Sequence, residues 1–355
     1  MKKAIQSFPI KLLAWHKTIV RKMPWKETSN PYFIWLSEII MQQTRVEQGT
    51  PYYLKFVKQF PTVHDLANAS EDTVMQAWEG LGYYSRARNL HTSAKYISEE
   101  LGGVFPQTHE EILKLKGVGP YTAAAIASFA YDLEYPVVDG NVQRVLSRVF
   151  GILDPIDEPE GKKKIEKLSI ALIKGQPPAN YNQAIMDFGA TLCKPKKPLC
   201  GTCPLQEECI SIKKNLVDQL PKKNKKIKKR NRYFHYLILE HAETLFLQKR
   251  GAGDVWQGLY EFPLLETEKP KVFSEKEMKK VLSENGWILK KGFNVSKAFH
   301  QTLSHQKIEG RFYTCPIQKP KENKGKILVE RNNLINFAFP KIINCYLDDN
   351  SVYLL

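Results

Sequence analysis

Four cysteines, Cys193, Cys200, Cys203 and Cys209, fall within seventeen residues, and no other feature of the 355-residue chain restricts its fold so tightly. Thiols set so closely form disulfides, a zinc site or an iron–sulfur site. Disulfides belong to exported chains, which need a leader. The chain begins basic, but Gln6, Pro9 and Lys11 interrupt any apolar leader core. No apolar run approaches the ~20 residues that span a bilayer. The expectation is a soluble, intracellular protein with no membrane partner and no disulfides. Cys315 and Cys345 stand alone and read as ordinary buried thiols. Zinc sites usually present paired short ligand spacings, and only Cys200 and Cys203 make one. Spacing leaves zinc and iron–sulfur both open.

The formal charge of +16 suggests a polyanionic partner, and its placement is uneven. Residues 1–220 hold 27 Lys and Arg against 23 Asp and Glu, whereas Pro221–Arg230 holds seven basic residues and no acid. This run reads as a solvated linker that can lie along phosphates, or as a linker with no contacts. Its composition also permits a nuclear-import signal.

Before the basic run the texture is helical. Asn30-Pro31 opens a segment, Tyr32 to Gln48, with apolar residues at helical spacing. Thr108-His-Glu-Glu111 has the form of a capping box. Gly117-Val-Gly-Pro120 breaks the chain, and Tyr121 to Tyr131 is again helical, ending at Glu134-Tyr-Pro136. An extended Val137-Val138 leads to Asp139, and Asn141 to Phe150 resumes helical periodicity. After the basic run, Tyr233–Glu240 and Leu245–Arg250 read as a strand hairpin joined by a four-residue turn. Asn344–Leu347 and Ser351–Leu355 read as strands. The expected organisation is an α domain over 1–214, a basic tether over 215–231 and an α+β domain over 232–355.

Leu115-Lys-Gly-Val-Gly119 between two helices has the form of a helix-hairpin-helix. Gly117 and Gly119 would let the backbone approach a phosphate, and the next helix offers unpaired N–H groups to it. A purely structural glycine turn fits as well. Glu38 has Ile34, Trp35, Met41 and Gln42 as helical neighbours. Burial there would keep it protonated, as a general acid requires; a helix residue edging into solvent is the alternative. Asp139 stands at the start of a helix, where an ordinary N-cap is the competing reading. Two carboxylates flanking a glycosidic bond are what glycoside hydrolysis uses.

Several motifs then occur in order: Pro24-Trp25, Asn30-Pro-Tyr32, Trp35-Leu-Ser-Glu-Ile-Ile-Met-Gln-Gln-Thr44, Gly80-Leu-Gly-Tyr-Tyr-Ser-Arg-Ala-Arg-Asn-Leu90, Leu115-Lys-Gly-Val-Gly-Pro-Tyr-Thr-Ala123 and Val138-Asp-Gly-Asn-Val-Gln-Arg-Val145. With these the chain resembles the MutY family of DNA glycosylases, almost continuously from about residue 20 to 209. The resemblance implies an all-α helix-hairpin-helix glycosylase domain followed by an α+β MutT/Nudix-like domain. It implies a [4Fe-4S] cluster on Cys193, Cys200, Cys203 and Cys209, holding a loop that aims Lys194, Lys196 and Lys197 at DNA. The implied partner is double-stranded DNA carrying an 8-oxoguanine:A or G:A mismatch. The implied reaction is removal of that adenine by a monomer, in the cytoplasm and at the nucleoid if the source is bacterial. By the family pattern Glu38 protonates adenine N7, Asp139 stabilises the sugar cation, and Tyr121 and Asn141 support the transition state. Gln43 matches a residue wedged into the duplex, with Tyr83 in a neighbouring intercalating motif and Gln42, Thr44 and Leu81 nearby. Related lyases carry a lysine where this chain has Tyr121, so a monofunctional enzyme is implied. One departure is Arg21-Lys-Met-Pro-Trp-Lys26, where the family usually ends on arginine.

The C-terminal region resembles the family's MutT-like domain through Trp256-Gln-Gly-Leu-Tyr-Glu-Phe-Pro263 and Leu303-Ser304-His305. Of the glutamate-rich magnesium helix of Nudix hydrolases only Glu284 survives, in Lys279-Lys-Val-Leu-Ser-Glu284. The implied role is lesion recognition, with Leu303, Ser304 and His305 as candidates and a polar surface turn as the alternative. Two rivals stand beside this reading: a bifunctional glycosylase/lyase of the endonuclease III type, and a non-catalytic iron–sulfur DNA-binding protein.

Overall fold

The computed structural model describes residues 2–224, 229–318 and 325–350, with the side chains of residues 2 and 3 excepted. Residues 225–228 of the basic run and the C-terminal segment Ser351–Leu355 therefore lie outside the described residues. Helices dominate the first part: α1 (Lys2–His16), α2 (Pro31–Met41), α3 (Val46–Gln59), α4 (Val63–Asn68), α5 (Glu71–Ala77) and α6 (Ser85–Glu99). They continue as α7 (His109–Leu113), α8 (Pro120–Tyr131), α9 (Gly140–Phe150), α10 (Pro159–Ile173), α11 (Pro178–Thr191) and the short α12 (Ile210–Lys213). The second part holds β1 (Arg230–His241), β2 (Thr244–Lys249), β3 (Tyr260–Glu261), β4 (Leu264–Thr267), α13 (Glu275–Glu284), β5 (Asn294–Val295), β6 (Phe299–Thr302), β7 (Gln306–Pro316), β8 (Ile327–Glu330) and α14 (Lys341–Asp349). Two compact units result: Met1–Asn68 with Asn89–Lys226, and Ala69–Arg88 with Ile227–Leu355.

In the first unit α9 is central because Val142, Val145, Leu146 and Val149 recur at i, i+3, i+4 and i+7. They form one apolar core with Phe8 and Leu12 of α1, Ile165 of α10 and Ile185 and Phe188 of α11. The expected helix over Tyr32–Gln48 is two helices. Gln43 takes a left-handed backbone (φ 55), which no α-helix tolerates, so α2 stops at Met41 and α3 starts at Val46. Gly49 permits the elbow: a Cβ there would lie 2.5 Å from the Met41 sulfur. The capping box at Thr108 and Glu111 forms as expected.

In the second unit β1 runs parallel to β7 from Arg230↔Gln306 to Glu240↔Pro316, at the middle of an eight-stranded mixed sheet. Leu237 and Leu239 of β1 pack with Met278 and Leu282 of α13. Tyr236 stacks on Phe312, and Phe312 on Tyr346 of α14. Burial on both faces explains the near-continuous apolar run in β1. The β1–β2 hairpin forms, but His241 already pairs with Thr244, so the turn is shorter than expected. Asn344–Leu347 is helix, not strand. Ile342, Ile343, Tyr346 and Leu347 are buried at helical spacing, and a short apolar run does not distinguish the two periods by itself. Cys315 is buried as read, whereas Cys345 is exposed.

Candidate active site

A cavity of about 540 Å³ in the first unit is lined by Glu38 from α2, Tyr121 from α8, Asp139 and Asn141 at the start of α9, and Lys26. Glu38 is 9 % exposed, within a helix whose other buried residues include Ile34, Trp35 and Ile39. Burial raises its pKa to about 7, against a lowering hydrogen bond from Tyr121 and with a further rise from Asp139. Burial also pushes the Tyr121 hydroxyl far above its ordinary range, with Glu38 and Asp139 adding to it. Tyr121 is therefore a neutral donor to Glu38.

Asp139 is an N-cap and more than an N-cap. One carboxylate oxygen accepts from the Val142 N–H at 2.7 Å, and the other accepts from Asn141 Nδ2 at 2.6 Å. Burial raises its pKa, and these hydrogen bonds with the charge of Arg144 oppose the rise. Helix α9 thus places one carboxylate at its positive end, facing a cavity where a second carboxylate holds its proton.

Two buried arginines on α9, Arg144 inside the Val138–Val145 motif but given no role there and Arg148 beyond it, join this site to the cysteine loop. Arg144 Nη2 donates to Asn141 Oδ1 and to the Gly189 carbonyl, each at 2.8 Å, and Nε donates to the Cys193 carbonyl at 2.8 Å. Arg148 donates to the carbonyls of Lys194 (2.7 Å), Pro195 (3.2 Å) and Leu220 (3.0 Å), and to Cys193 Sγ at 3.6 Å. Two arginines four apart on an otherwise apolar helical face are the signal that would have found them. Cys193 follows α11, Cys200 opens a 3₁₀ turn that Cys203 caps, and Cys209 caps α12. Burial raises Cys203 to about 11, and Cys193, Cys209 and Cys200 add to the rise. The four thiols therefore sense one another. Among the described residues, however, no three His, Cys, Asp or Glu converge on a point that could hold a metal ion. The loop nevertheless carries four cysteines, the ligand number of a [4Fe-4S] cluster, and Arg148 donates to the first of them. When bound, the cluster ties together a loop that has little regular structure of its own.

One wall of the cavity comes from the segment between α1 and α2. His16 Nε2 lies 3.1 Å from Asp187 Oδ2, Arg21 Nη1 donates to Oδ1 at 2.7 Å, and Lys26 Nζ donates to Oδ2 at 2.6 Å. The Asp187 side chain is completely buried. Burial alone would raise its pKa, yet the three donors hold it down at about 2.

Outside the cavity, Gln42 Nε2 donates to Thr122 Oγ1 at 3.0 Å, and Gln43 is exposed at the α2–α3 elbow beside Thr44. Gly117 in the α7–α8 hairpin has φ +80, and a Cβ there would meet Asn89 Cβ at 2.6 Å; Gly119 has open space. Lys196 and Lys197 are exposed and Lys194 is half-buried.

The second unit holds its own cavity, about 440 Å³, lined by Leu81, Tyr83, Arg88, Gln257, Ser304 and His305 among others. Tyr83 has a left-handed backbone (φ 49), and its hydroxyl hydrogen-bonds Ser304 Oγ. Leu81 is buried at 5 % exposure, so of the two it is Tyr83, 48 % exposed, that is presented to solvent. Leu303–Gln306 is a tight turn closed by Leu303 N–H to Gln306 C=O at 2.8 Å. On α13, Glu275 and Glu284 pair with Lys279 (2.6 Å) and Lys280 (3.8 Å), while Glu277 pairs with Lys271 at 2.8 Å.

Helix-hairpin-helix, paired carboxylates and cysteine loop define a base-excision DNA repair enzyme that acts on N-glycosyl bonds. Comparison agrees: residues 36–171 match the HhH-GPD superfamily of base excision DNA repair proteins, 193–209 the iron–sulfur binding domain of endonuclease III, and 235–349 a NUDIX domain. Among solved structures, a thermostable thymine-DNA glycosylase is 28 % identical with a TM-score of 0.55, covering 60 % of this chain and 98 % of its own. An endonuclease III–DNA complex at 23 % identity and TM-score 0.52, covering 61 % and 98 %, shares the fold. An adenine DNA glycosylase of Buchnera aphidicola subsp. Baizongia pistaciae is 37 % identical over 301 residues, 83 % of this chain and 82 % of that one. The Rattus norvegicus adenine DNA glycosylase is 43 % identical over 214 residues, covering 58 % and 42 %. The chain belongs to the adenine DNA glycosylase family. No helix among the described residues is long and apolar enough to cross a membrane.

Proposed function

We propose that the protein excises adenine paired with 8-oxoguanine or guanine in double-stranded DNA and does so monofunctionally, without cutting the strand. The observation that carries this reading is the cavity in which a protonated Glu38, hydrogen-bonded by Tyr121, shares a wall with Asp139. The adenine leaves the stack and enters the cavity. Glu38 gives its proton to N7, the C1′–N9 bond breaks with its electron pair going to the base, and adenine leaves neutral. Asp139, fixed by the Val142 N–H and Asn141, faces the sugar cation and collapses onto C1′ before water displaces it, giving an abasic site. Asn141 orients Asp139, and Tyr121 orients Glu38.

Monofunctionality rests on the lack of a nucleophilic amine. Tyrosine at 121 cannot form a Schiff base. Of the two lysines lining the cavity, Lys26 is tied to Asp187 at 2.6 Å and Lys22 is exposed. Gln43, with Gln42 and Thr44 beside it, and Tyr83 enter the duplex near the lesion. Gly117, Gly119, Lys194, Lys196 and Lys197 hold the backbone. Leu303, Ser304 and His305, with Leu81 beneath, face the oxidised guanine in the second cavity. The paired acids of α13 support recognition in place of Nudix hydrolysis. The enzyme acts as a monomer, in the cytoplasm of its host and at the nucleoid if that host is bacterial. The working boundaries remain 1–214, 215–231 and 232–355.

The test is a duplex with one A opposite 8-oxoguanine, incubated with enzyme and divided between neutral and alkaline work-up. Free adenine with strand breaks only after alkali is expected. Breaks without alkali, together with a borohydride-trapped adduct dependent on one lysine, would favour the endonuclease III-type lyase. No base release at all would favour a non-catalytic binding protein.

A further inference from the structure

Arg232 of β1 is 7 % exposed, and each of its five N–H groups has an acceptor. Nε and Nη2 donate to Glu266 of β4 at 2.7 and 2.6 Å, and Nη1 and Nη2 donate to Asp254 at 2.6 and 2.8 Å. Nη1 also donates to Gln306 Oε1 at 3.1 Å. A buried ion is costly unless its polar groups are all met, and here two bidentate pairs and an amide meet them. The guanidinium also lies 4.6 Å over the Phe234 ring. Two of these partners belong to separate segments that line the second cavity: Asp254 to the loop between β2 and β3, and Gln306 to the Leu303–Gln306 turn. The loop runs through left-handed backbone at Gly253 (φ 91) and Trp256 (φ 62), a path that persists only when its surroundings fix it. Arg250 Nη2 adds a second tether to Asp254 at 2.7 Å. The turn is anchored from β1 as well, since the Arg230 N–H donates to the His305 carbonyl at 2.9 Å.

We infer that Arg232 is a positioning residue for lesion selectivity: its guanidinium ties the Asp254 loop to the Leu303–Gln306 turn and so sets where the Ser304 and His305 side chains stand when they meet the base opposite adenine. The inference rests on the reading that this cavity faces that base. Hydrogen bonds weaken steeply with misalignment, and the two partner bases differ only by an N7 hydrogen and an O8. A small drift of the turn therefore costs selectivity before it costs excision, whose acids Glu38 and Asp139 line the other cavity. A planar fork can hold a carboxylate and an amide at once, whereas an ammonium carries the charge without that shape.

The experiment compares Arg232→Met, Arg232→Lys and Gln306→Met in the full-length, cluster-loaded protein. Single-turnover excision is measured with enzyme in excess on duplexes with A opposite 8-oxoguanine and A opposite guanine, and the readout is the ratio of the two constants. Partial unfolding lowers the active fraction equally for both duplexes and leaves that ratio unmoved. Each variant should lower the ratio by roughly three- to tenfold, the worth of one or two misaligned hydrogen bonds. A wild-type ratio in Arg232→Lys would overturn the inference, because charge alone would then suffice. A wild-type ratio in Gln306→Met would overturn it too, because the turn would not depend on the tie. Should the Arg232 variants fail to fold, Gln306→Met decides alone, since it leaves both ion pairs of Arg232 in place. In the Ser304→Ala, His305→Ala background Gln306→Met should cause no further fall, because the groups it places are gone; an undiminished further fall would overturn the inference. The same background separates the two layers. If it keeps the wild-type ratio, or the wild type shows no preference, the reading of the cavity fails. If it lowers the ratio while Arg232→Lys and Gln306→Met keep it, only the role of Arg232 fails.

Discussion

Glu38 and Asp139 are the same kind of acid in one cavity, and their surroundings divide the work. Burial keeps Glu38 protonated up to about 7, whereas at Asp139 burial also raises the pKa but the Val142 N–H, Asn141 and Arg144 oppose the rise. Glu38→Gln removes the proton donor, and Asp139→Asn removes the charge facing the sugar cation. Each should slow single-turnover excision by at least ~100-fold with mismatch binding largely retained. Asparagine is also a good N-cap, so Asp139→Asn should leave the thermal midpoint nearly unchanged; a collapse in stability with normal specific activity would mean that the residue is only a cap. The pH profile follows from the same pair. Excision should fall as pH rises through about 7, where Glu38 loses its proton, and fall again in acid, at a pH above the ordinary aspartate range, as Asp139 gains one. A rate that climbs steadily past neutrality would contradict the assignment of Glu38 as the acid. Helical spacing around Glu38 was enough to read its burial. Asp187 left no such trace, because its three partners lie 161, 166 and 171 residues away in sequence.

At the level of elements, the sequence is most legible where local rules act alone. The capping box at Thr108, the glycine hairpin and helix α9 follow from spacing and side-chain chemistry within a few residues. It is least legible where backbone geometry decides. The break at Gln43 divides an unbroken apolar pattern, and α14 carries an apolar run short enough to read as a strand. The hairpin glycines offer a separation of stability from DNA contact. Gly117→Ala forces a side chain into a left-handed position at 2.6 Å from Asn89 Cβ and should cost about 1–3 kcal/mol in unfolding free energy. Gly119→Ala meets open space, so it should leave unfolding nearly untouched and weaken duplex affinity by blocking backbone approach to phosphate. Thermal unfolding and duplex titration at one fixed salt concentration check both. Unchanged affinity in Gly119→Ala would mean that the hairpin is structural only.

Over the whole molecule, family, cluster and two-part organisation could be read from motifs in order, whereas the grouping of residues could not. Residues 69–88 join the second unit, where Asp72 takes Lys249 at 2.6 Å and Glu79 accepts from Asn344 Nδ2 at 2.7 Å. They bring Tyr83 to Ser304 and complete the second cavity. Chain order cannot announce such a return. A truncation near residue 220 would strip these residues of their partners, so side-chain substitution is the cleaner probe of what the second unit reads.

The most direct measurement is the ratio of single-turnover excision constants for A opposite 8-oxoguanine and A opposite guanine, taken in the wild type and in Ser304→Ala, His305→Ala. The two partner bases, 8-oxoguanine and guanine, differ by an N7 hydrogen and an O8, so one or two hydrogen bonds, at about 0.5–1.5 kcal/mol each, carry the discrimination. The wild type should prefer the 8-oxoguanine partner, and the double substitution should reduce that preference by roughly tenfold while still releasing adenine from both duplexes. Equal ratios in the two proteins would contradict the assignment of lesion reading to the Leu303–His305 turn, and no adenine release by the wild type from either duplex would contradict the account as a whole.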